Sequence, residues 1–195
     1  AILQKTIPET ILSTTADSAS DGFVLSRPEW EYMSKKEIVN RIAVLLGGFV
    51  AERMIFGDEH VTMGAASDIG KATKLATHVR YSCGMGKARV AYGNEHMSET
   101  PSIIFDNNNH QSTVNQEARD LITEGEKAAE EALRSQKILL IKMADYLSDH
   151  RCMKKEEIKE FIGKYAKDFD MNTIIENGKL LFYRNHLKDL VNNNL

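Results

Sequence analysis

This chain of 195 residues contains only two cysteines, three prolines and one tryptophan. Cys83 and Cys152 lack a Cys-x-x-Cys spacing, so they exclude a disulfide framework and fit a reducing compartment. No apolar run approaches the ~20 residues that a membrane-spanning helix needs, and no signal or transit peptide is visible. Because 25 basic residues balance 28 acidic ones, neither nucleic acid nor an anionic membrane surface is expected as a partner.

The chain also lacks the short motifs of a self-sufficient active site. It has no HExxH, in which two histidines one helical turn apart hold zinc and the glutamate acts as a base. It has neither a GxSxG nucleophile turn nor a GxxxxGK[ST] phosphate-binding loop. Its six histidines show no metal-ligand spacing, and we expect surface or structural positions for them. They are His60, His78, His96, His110, His150 and His186.

What is present indicates a folded domain that is mainly α. Hydrophobic residues make up 42% of the chain and charged residues 27%, which supports a sizeable core. Runs at Thr10–Thr15 and Gly22–Leu25, separated by turn-forming residues, predict a small N-terminal β-hairpin or a pair of edge strands. Val90–Tyr92 could add a short strand, and the polar stretch 94–112 is typical of a loop.

Apolar residues at helical spacing predict helices over most of the remaining chain. Residues 1–7 resemble the end of an apolar helix that stops at Pro8. A capping box, Thr113 with Gln116, predicts a long helix to about Leu147, whose pattern is loose and allows a break at 134–137. Further helices are predicted at 154–169, with Ile158, Phe161, Ile162 and Tyr165 inward, and at 180–191. The result is a long C-terminal helix hairpin.

A second capping box, Ser34 with Glu37, begins a helix that ends at Gly57. Gly47 and Gly48 lie in its middle, where each glycine costs about 1 kcal/mol relative to alanine. We therefore expect another helix or backbone to approach closely there. A turn of small residues, Val61–Ile69, follows this helix and delivers Asp68 to the start of the next one. Taken alone, Asp68 is typical of a helix cap.

The middle block contains a series of short segments in a fixed order and spacing. They are Arg41-Ile42-Ala43-Val44-Leu45-Leu46-Gly47-Gly48, Ala51-Glu52, Ile55-Phe56-Gly57, His60-Val61-Thr62, Gly64-Ala65, Ser67-Asp68, Ala72-Thr73, Leu75-Ala76 and Cys83-Gly84-Met85. In this order and spacing the block resembles the zinc-peptidase domain of the FtsH family, the membrane-bound AAA+ proteases of bacteria, mitochondria and chloroplasts. The likeness covers roughly residues 1–165 and is weaker from Ser112 to Phe161.

The resemblance implies a zinc site. In that family two histidines of HExxH and a later aspartate hold Zn²⁺, and the matching aspartate is Asp68, the one metal ligand that we assign to this chain. A carboxylate would complete a three-ligand site and leave a fourth position for water. Glu52, where the family also has an acid, either supports the site as a carboxylate behind the ligands or is a solvated helix residue.

The missing HExxH has two explanations. The chain begins with Ala1-Ile2-Leu3, so we expect it to be a piece of a longer polypeptide in which HExxH falls just before Ala1. Alternatively, it comes from a degenerate family member without the zinc helix. Departures from the family pattern favour the second view: Phe49 replaces an arginine, Arg53 replaces an acid, and a basic turn of the substrate groove is absent, with residues 16–20 in its place.

Two functions follow from the resemblance. The first is the peptidase domain of a membrane-anchored, ATP-dependent zinc metalloprotease that degrades unfolded and membrane polypeptides, with ATP bound at an AAA+ domain outside this chain. The alternative is an inactive assembly collar of a hexameric AAA+ unfoldase or protein-import motor. We expect a homo- or hetero-hexamer at an organellar or bacterial inner membrane, held there by segments outside this chain. Residues 1–168 would form the peptidase domain, and 169–195 a C-terminal extension.

Overall fold

A computed structural model describes residues 1–13, 22–25, 33–87, 89–91, 107–171, 174, 188 and 191, and only the backbone at 22–23 and 107–112. Two units make up the fold. Ala1–Met33 and Ser135–Leu195 form the first unit, and Ser34–Arg134 forms the second. The described residues are mainly helical, as the sequence predicts. None of the described helices is both long enough and apolar enough to cross a membrane.

An antiparallel sheet of three strands lies in the first unit. Its strands are β1 (Thr10–Ser13), β2 (Gly22–Leu25) and β3 (Cys152–Lys154), in the order β2-β1-β3. Ile11 of β1 pairs with Val24 on one side and with Met153 on the other. The predicted N-terminal hairpin is therefore confirmed. The sequence did not predict β3, because three residues are too few to show the alternation that marks a strand.

Two helices, α5 (Lys137–His150) and α6 (Lys155–Tyr165), pack against each other beside this sheet. The inward face predicted for α6 is confirmed, since Ile158 and Ile162 are buried and Phe161 and Tyr165 are half-buried. Near the N-terminus the Lys5 N–H donates to the Ala1 carbonyl at 2.7 Å, which closes one turn. The buried core of this unit comprises Ile7, Leu139, Met153, Ile158 and Ile162.

The second unit is helical throughout its described elements: α1 (Lys35–Leu45), α2 (Gly47–Phe56), α3 (Ala66–Tyr81) and α4 (Asn107–Ser135), the last of which ends one residue beyond it. The capping box at Ser34 is confirmed, because the Glu37 N–H donates to the Ser34 hydroxyl and the Glu37 carboxylate accepts from the Ser34 N–H at 2.6 Å. The buried side chains are Ile38, Val39, Ile42, Ala43, Leu46, Val50, Ala72, Ala76, Val79, Val114, Ala118, Leu121 and Ala129.

The helix predicted through Gly47 and Gly48 is broken. It forms α1 and α2, which meet at Leu46. No described atom lies within 4 Å of the Cβ position of either glycine, so the close approach expected there is not found. The close approach occurs instead at Gly125 of α4, whose Cβ position lies 2.5 Å from Cγ2 of Ile42. Gly125 thus lets α4 approach α1.

The N-terminal end of α4 differs from the prediction, whereas its C-terminal end agrees. The helix begins at Asn107, so Thr113 lies inside it and does not cap it. The prediction was wrong because asparagine and serine have weak helix propensity and are more typical of loops, although residues 107–112 are helical here. The predicted break at 134–137 is confirmed at Gln136, between α4 and α5.

Some predictions fall wholly or partly outside the described residues. These are the helix at 180–191, except Lys188 and Val191, and the loop at 94–106. Val90 and Ala91 are described and do not form a strand. The proposed boundary between residues 168 and 169 stays a prediction.

Candidate metal-ligand turn

Asp68 lies in the first turn of α3, at the third helical residue. The residue before the helix is Ala65, which offers no side-chain cap, and a 3-10 turn at Met63–Ala65 leads into α3. Asp68 is therefore not the cap that its residue type suggests. A carboxylate at this end of a helix is favoured by about 0.3–1 kcal/mol, because the free backbone N–H groups carry partial positive charge.

The Asp68 carboxylate is accessible to a ligand. Its side chain is 50% exposed, and Oδ1 accepts a hydrogen bond from Nζ of Lys71 at 2.7 Å. Lys71 is itself 61% exposed, so this pair is a surface ion pair, which contributes little to stability. Among the described residues no other hydrogen-bond partner reaches Asp68, which leaves Oδ2 available for a further interaction.

Glu52 of α2 holds the turn that precedes Asp68. Its Oε2 accepts from the backbone N–H of Thr62 at 2.9 Å, and the Thr62 hydroxyl donates to the same carboxylate at 3.1 Å. The hydroxyl oxygen also accepts from the Gly64 N–H at 3.2 Å, which caps the 3-10 turn. Glu52 is thus not a merely solvated helix residue, because it fixes the approach to α3. Its support of a metal site stays a prediction.

Two departures from the family pattern, Phe49 and Arg53, contact each other on α2. The Arg53 guanidinium lies 5.2 Å from the centroid of the Phe49 ring, in cation–π geometry. Arg53 also forms ion pairs with Glu126, and with Glu130 at 3.6 Å, both on α4. Arg53 therefore packs on Phe49 of its own helix and joins α2 to α4.

A zinc ion fits Asp68 as one ligand and not as a whole site. Carboxylate oxygen is a regular zinc ligand, and a half-exposed oxygen can be reached by an ion. However, the described part of the chain contains no group of three or more His, Cys, Asp or Glu side chains that could hold a metal. Any complete zinc site would need ligands besides those described.

The histidines whose side chains are described lie on the surface, as predicted. His60 is exposed in a 3-10 turn at Asp58–His60, and His78 is exposed on α3. His150 stacks on the Tyr146 ring with centroids 4.0 Å apart. Cys83 and Cys152 are free thiols, which agrees with the prediction of no disulfide framework.

Comparison with known proteins decides the family. The chain matches the family model described as "Peptidase family M41" over residues 10–161. The chain belongs to peptidase family M41. The predicted resemblance to FtsH proteases is thereby confirmed, and Glu52, Thr62 and Asp68 lie within the matched range.

The relatives of this M41 chain are named as ATP-dependent zinc metalloproteases. It is 34% identical over 130 residues to "ATP-dependent zinc metalloprotease FTSH 11, chloroplastic/mitochondrial" of Arabidopsis thaliana, and this match covers 67% of the chain and 15% of that protein. It is 30% identical over 158 residues to "ATP-dependent zinc metalloprotease FtsH" of Methylococcus capsulatus, which covers 76% and 24% respectively. The chain thus spans no more than about a quarter of the length of these relatives.

The sequence predicted roles for Asp68 and Glu52 but not the contacts of Thr62 and Arg53. A threonine two residues before a glycine is a signal for a hydroxyl-capped turn, so Thr62 could have been found. Arg53 had no such signal, because its partners Glu126 and Glu130 are more than seventy positions away in the sequence.

Proposed function

We propose that this M41 chain forms most of the peptidase domain of an ATP-dependent zinc metalloprotease that degrades unfolded and membrane polypeptides. The single observation that supports this proposal is the half-exposed Asp68 carboxylate at the start of α3, within a chain that matches the M41 family over residues 10–161. In this proposal Asp68 is the third protein ligand of Zn²⁺. Residues 1–168 form the peptidase domain, and 169–195 are an extension.

The chain's own residues have defined roles in this proposal. When bound, zinc would polarise the scissile carbonyl and activate a water molecule. Asp68 would supply a carboxylate oxygen, while Lys71 occupies Oδ1 and balances part of the negative charge. Glu52 would keep the Thr62 turn, and hence the start of α3, in one conformation. The remaining ligands and the base would come from an HExxH helix outside this chain.

The edge strand β2 is the proposed position for the substrate. Within the described residues β2 pairs only with β1, and we propose that an extended peptide pairs with its other edge. Addition of a peptide as a further strand satisfies its backbone hydrogen bonds without reading its side chains. This mode suits unfolded polypeptides of many sequences. Val24 and Leu25 are 56% and 53% exposed on this strand and would offer apolar contacts.

The assembly and location are also proposals. We infer a hexameric ring with an AAA+ domain that binds ATP, anchored in an organellar or bacterial inner membrane through segments outside this chain. The names of the relatives support the dependence on ATP and the organellar or bacterial location, because they describe ATP-dependent enzymes and include chloroplastic or mitochondrial and bacterial proteins. The ring and the membrane anchor rest on the family resemblance.

An inactive assembly collar is the second candidate. The observation that favours it is the contact of Arg53 with Glu126 and Glu130, which places a cation where the family has an acid. In this role the domain keeps its helical packing and the ring holds together without zinc. The two candidates differ in metal content, so one measurement separates them.

The experiment compares the full-length gene product with its Asp68→Asn variant and with Asp58→Asn as a control. The asparagine of the first variant would keep the shape of the side chain and lose its charge, whereas Asp58 is an exposed acid in the neighbouring 3-10 turn. Bound zinc and ATP-dependent casein cleavage are measured on the same preparations. We expect both to fall at least tenfold for Asp68→Asn and to be unchanged for Asp58→Asn.

Two results would contradict the proposed function as a zinc metalloprotease. Zinc content that is unaffected by Asp68→Asn removes Asp68 from the ligand set. A zinc-free parent protein that still forms rings and hydrolyses ATP supports the collar.

A further inference from the structure

Helix α2 carries polar contacts on two sides. On one side Glu52 holds the backbone and hydroxyl of Thr62. On the other side the next residue, Arg53, binds Glu126 and Glu130 of α4. Successive helical residues point about 100° apart, so α2 connects α4 to the turn before Asp68.

Apolar packing alone fixes α2 weakly. Its ten residues include a single buried side chain, Val50, and two glycines occupy its first turn. Leu46, which precedes it, provides no side-chain cap. Because helices in proteins are stabilised mostly by packing of an apolar face, a short helix with so little buried surface gains relatively more from its polar contacts. In α2 those contacts are made by Glu52 and Arg53.

The contact between Arg53 and α4 is well suited to this task. The Arg53 side chain is 29% exposed, and those of Glu126 and Glu130 are 32% and 39% exposed, so the pairs are partly shielded from water. Glu130 is held in turn by Nη2 of Arg134 at 2.6 Å. The four residues form a row of ion pairs between α2 and α4, Glu126–Arg53–Glu130–Arg134, in which acids and bases alternate. Networks of this kind are stronger than isolated surface pairs.

Helix α4 provides a fixed reference for the row. Gly125, directly before Glu126, lies against the Ile42 side chain of α1, because a Cβ built on this glycine would lie 2.5 Å from Cγ2 of Ile42. Ile42 is fully buried in the core of this unit. A residue anchored to Glu126 is therefore anchored to the core.

We propose that Arg53 is a positioning residue for the candidate metal-ligand turn. By holding α2 on α4, Arg53 keeps the Glu52 carboxylate where it binds Thr62, and so keeps Asp68 in a defined place at the start of α3. The consequence for zinc rests on the proposed function. The consequence for the turn does not, because it follows from the ion pairs of Arg53 and the hydrogen bonds of Glu52.

Hydrogen exchange on the 195-residue chain tests the effect on the turn. The variants are Arg53→Met, which removes the charge, and Arg53→Lys, which retains it. Lys127→Met is the control, because it removes a cation from the same stretch of α4. We expect the Thr62 and Gly64 amides to exchange about tenfold faster in Arg53→Met, a change that corresponds to ~1.4 kcal/mol of opening free energy. We expect Arg53→Lys to recover most of the protection and Lys127→Met to exchange like the unaltered chain.

Any of three results would overturn the proposal. Unchanged exchange at Thr62 and Gly64 in Arg53→Met means that Arg53 does not position the turn. Equal acceleration at core amides such as those of Ile42 and Ala76 means that Arg53 stabilises the whole unit without acting on the turn. Failure of Arg53→Lys to recover protection excludes the charge as the cause.

A second measurement separates this inference from the proposed function. Zinc retention against a chelator is compared in the full-length gene product and its Arg53→Met variant. If the inference and the proposed function both hold, zinc is lost at a several-fold lower chelator concentration. If exchange responds and zinc retention does not, Arg53 positions the turn and Asp68 is not a zinc ligand.

Discussion

A Cβ atom on Gly125 would lie 2.5 Å from Cγ2 of Ile42 and 3.0 Å from its Cβ. These two residues therefore join α4 to α1 at a point where a hydrogen atom fits and a methyl group does not. Real side chains do not approach this closely, and Ile42 has no space to withdraw because it is fully buried. The contact places Glu126 and the rest of the charged row on a fixed support.

The first prediction is that Gly125→Ala destabilises the chain. Alanine would favour the helical backbone by up to about 1 kcal/mol. Overpacking against Ile42 costs about 1–3 kcal/mol and outweighs this gain. Gly163→Ala in α6 is the control, because Gly163 is exposed and no described atom lies within 4 Å of its Cβ position. Urea unfolding should show a lower free energy of unfolding for Gly125→Ala and one that is higher by about 0.5–1 kcal/mol for Gly163→Ala. A gain at both positions would contradict the close contact.

A second prediction concerns the hydroxyl of Thr62. It donates to Glu52 and accepts from the Gly64 N–H, so Thr62→Val removes both bonds and keeps the shape of the side chain. Loss of such a cap costs about 0.5–2 kcal/mol. Thr62→Ser retains the hydroxyl and should change the unfolding free energy little. Chemical denaturation of the three proteins, with exchange at Gly64 as a local probe, checks this prediction, which equal losses for the valine and serine variants would refute.

Much of the fold could be predicted from local patterns. The Ser34 box, the β1–β2 hairpin and the break near Gln136 each depend on residues close together in the sequence, and each was found. The core face of α6 followed from its helical periodicity, which Ile158 and Ile162 confirm by their burial. The predicted mainly α class is accordingly correct.

The remaining features depend on distant partners. The adjacent glycines Gly47 and Gly48 predicted a close approach of another element, yet the close approach occurs at the single glycine Gly125. Gly125 differs from Gly47 and Gly48 because it lies against Ile42 of α1, and this contact depends on how the chain folds. Asp68 was found through its neighbours in the family pattern, whereas Arg53 was recognised only as a departure. The role of Arg53 becomes visible when Glu126 is brought to it across the fold.

A third prediction tests the break between α4 and α5. The side-chain amide of Gln136 donates to the Lys167 carbonyl at 2.8 Å and accepts from the Lys167 N–H at 2.9 Å, so it pairs with the backbone as a strand would. Gln136→Glu removes the donor and sets a carboxylate against a carbonyl oxygen. We expect a loss of about 1–2 kcal/mol of unfolding free energy. Asn115→Asp, the same exchange of an amide for a carboxylate at an exposed position of α4, is the control, and an equal loss there would argue against a special role for Gln136.

A fourth prediction concerns pH and rests on Tyr146 and Glu157. The Tyr146 hydroxyl donates to Oε1 of Glu157 at 2.6 Å, and the Lys154 N–H donates to Oε2 at 2.8 Å. The bond from Tyr146, followed by that from Lys154, holds the pKa of Glu157 below its usual value. The same bond to Glu157, together with desolvation, raises the pKa of Tyr146. Folding therefore favours the Glu157 carboxylate and the neutral Tyr146 phenol.

The signs of these shifts define two pH windows. Because the pKa of Glu157 is lowered on folding, its contribution is present above the unfolded pKa of about 4.3 and is lost as pH falls through the folded value. Because the pKa of Tyr146 is raised, its contribution is present below about 10 and is lost as pH rises through the folded value. The stability advantage of the unaltered chain over Tyr146→Phe should therefore be constant near neutral pH and shrink at both extremes. Urea midpoints measured across pH test this, with Tyr165→Phe as the control because it removes a hydroxyl from the same aromatic cluster. Parallel pH profiles for the unaltered chain and Tyr146→Phe would show that the bond between Tyr146 and Glu157 does not contribute.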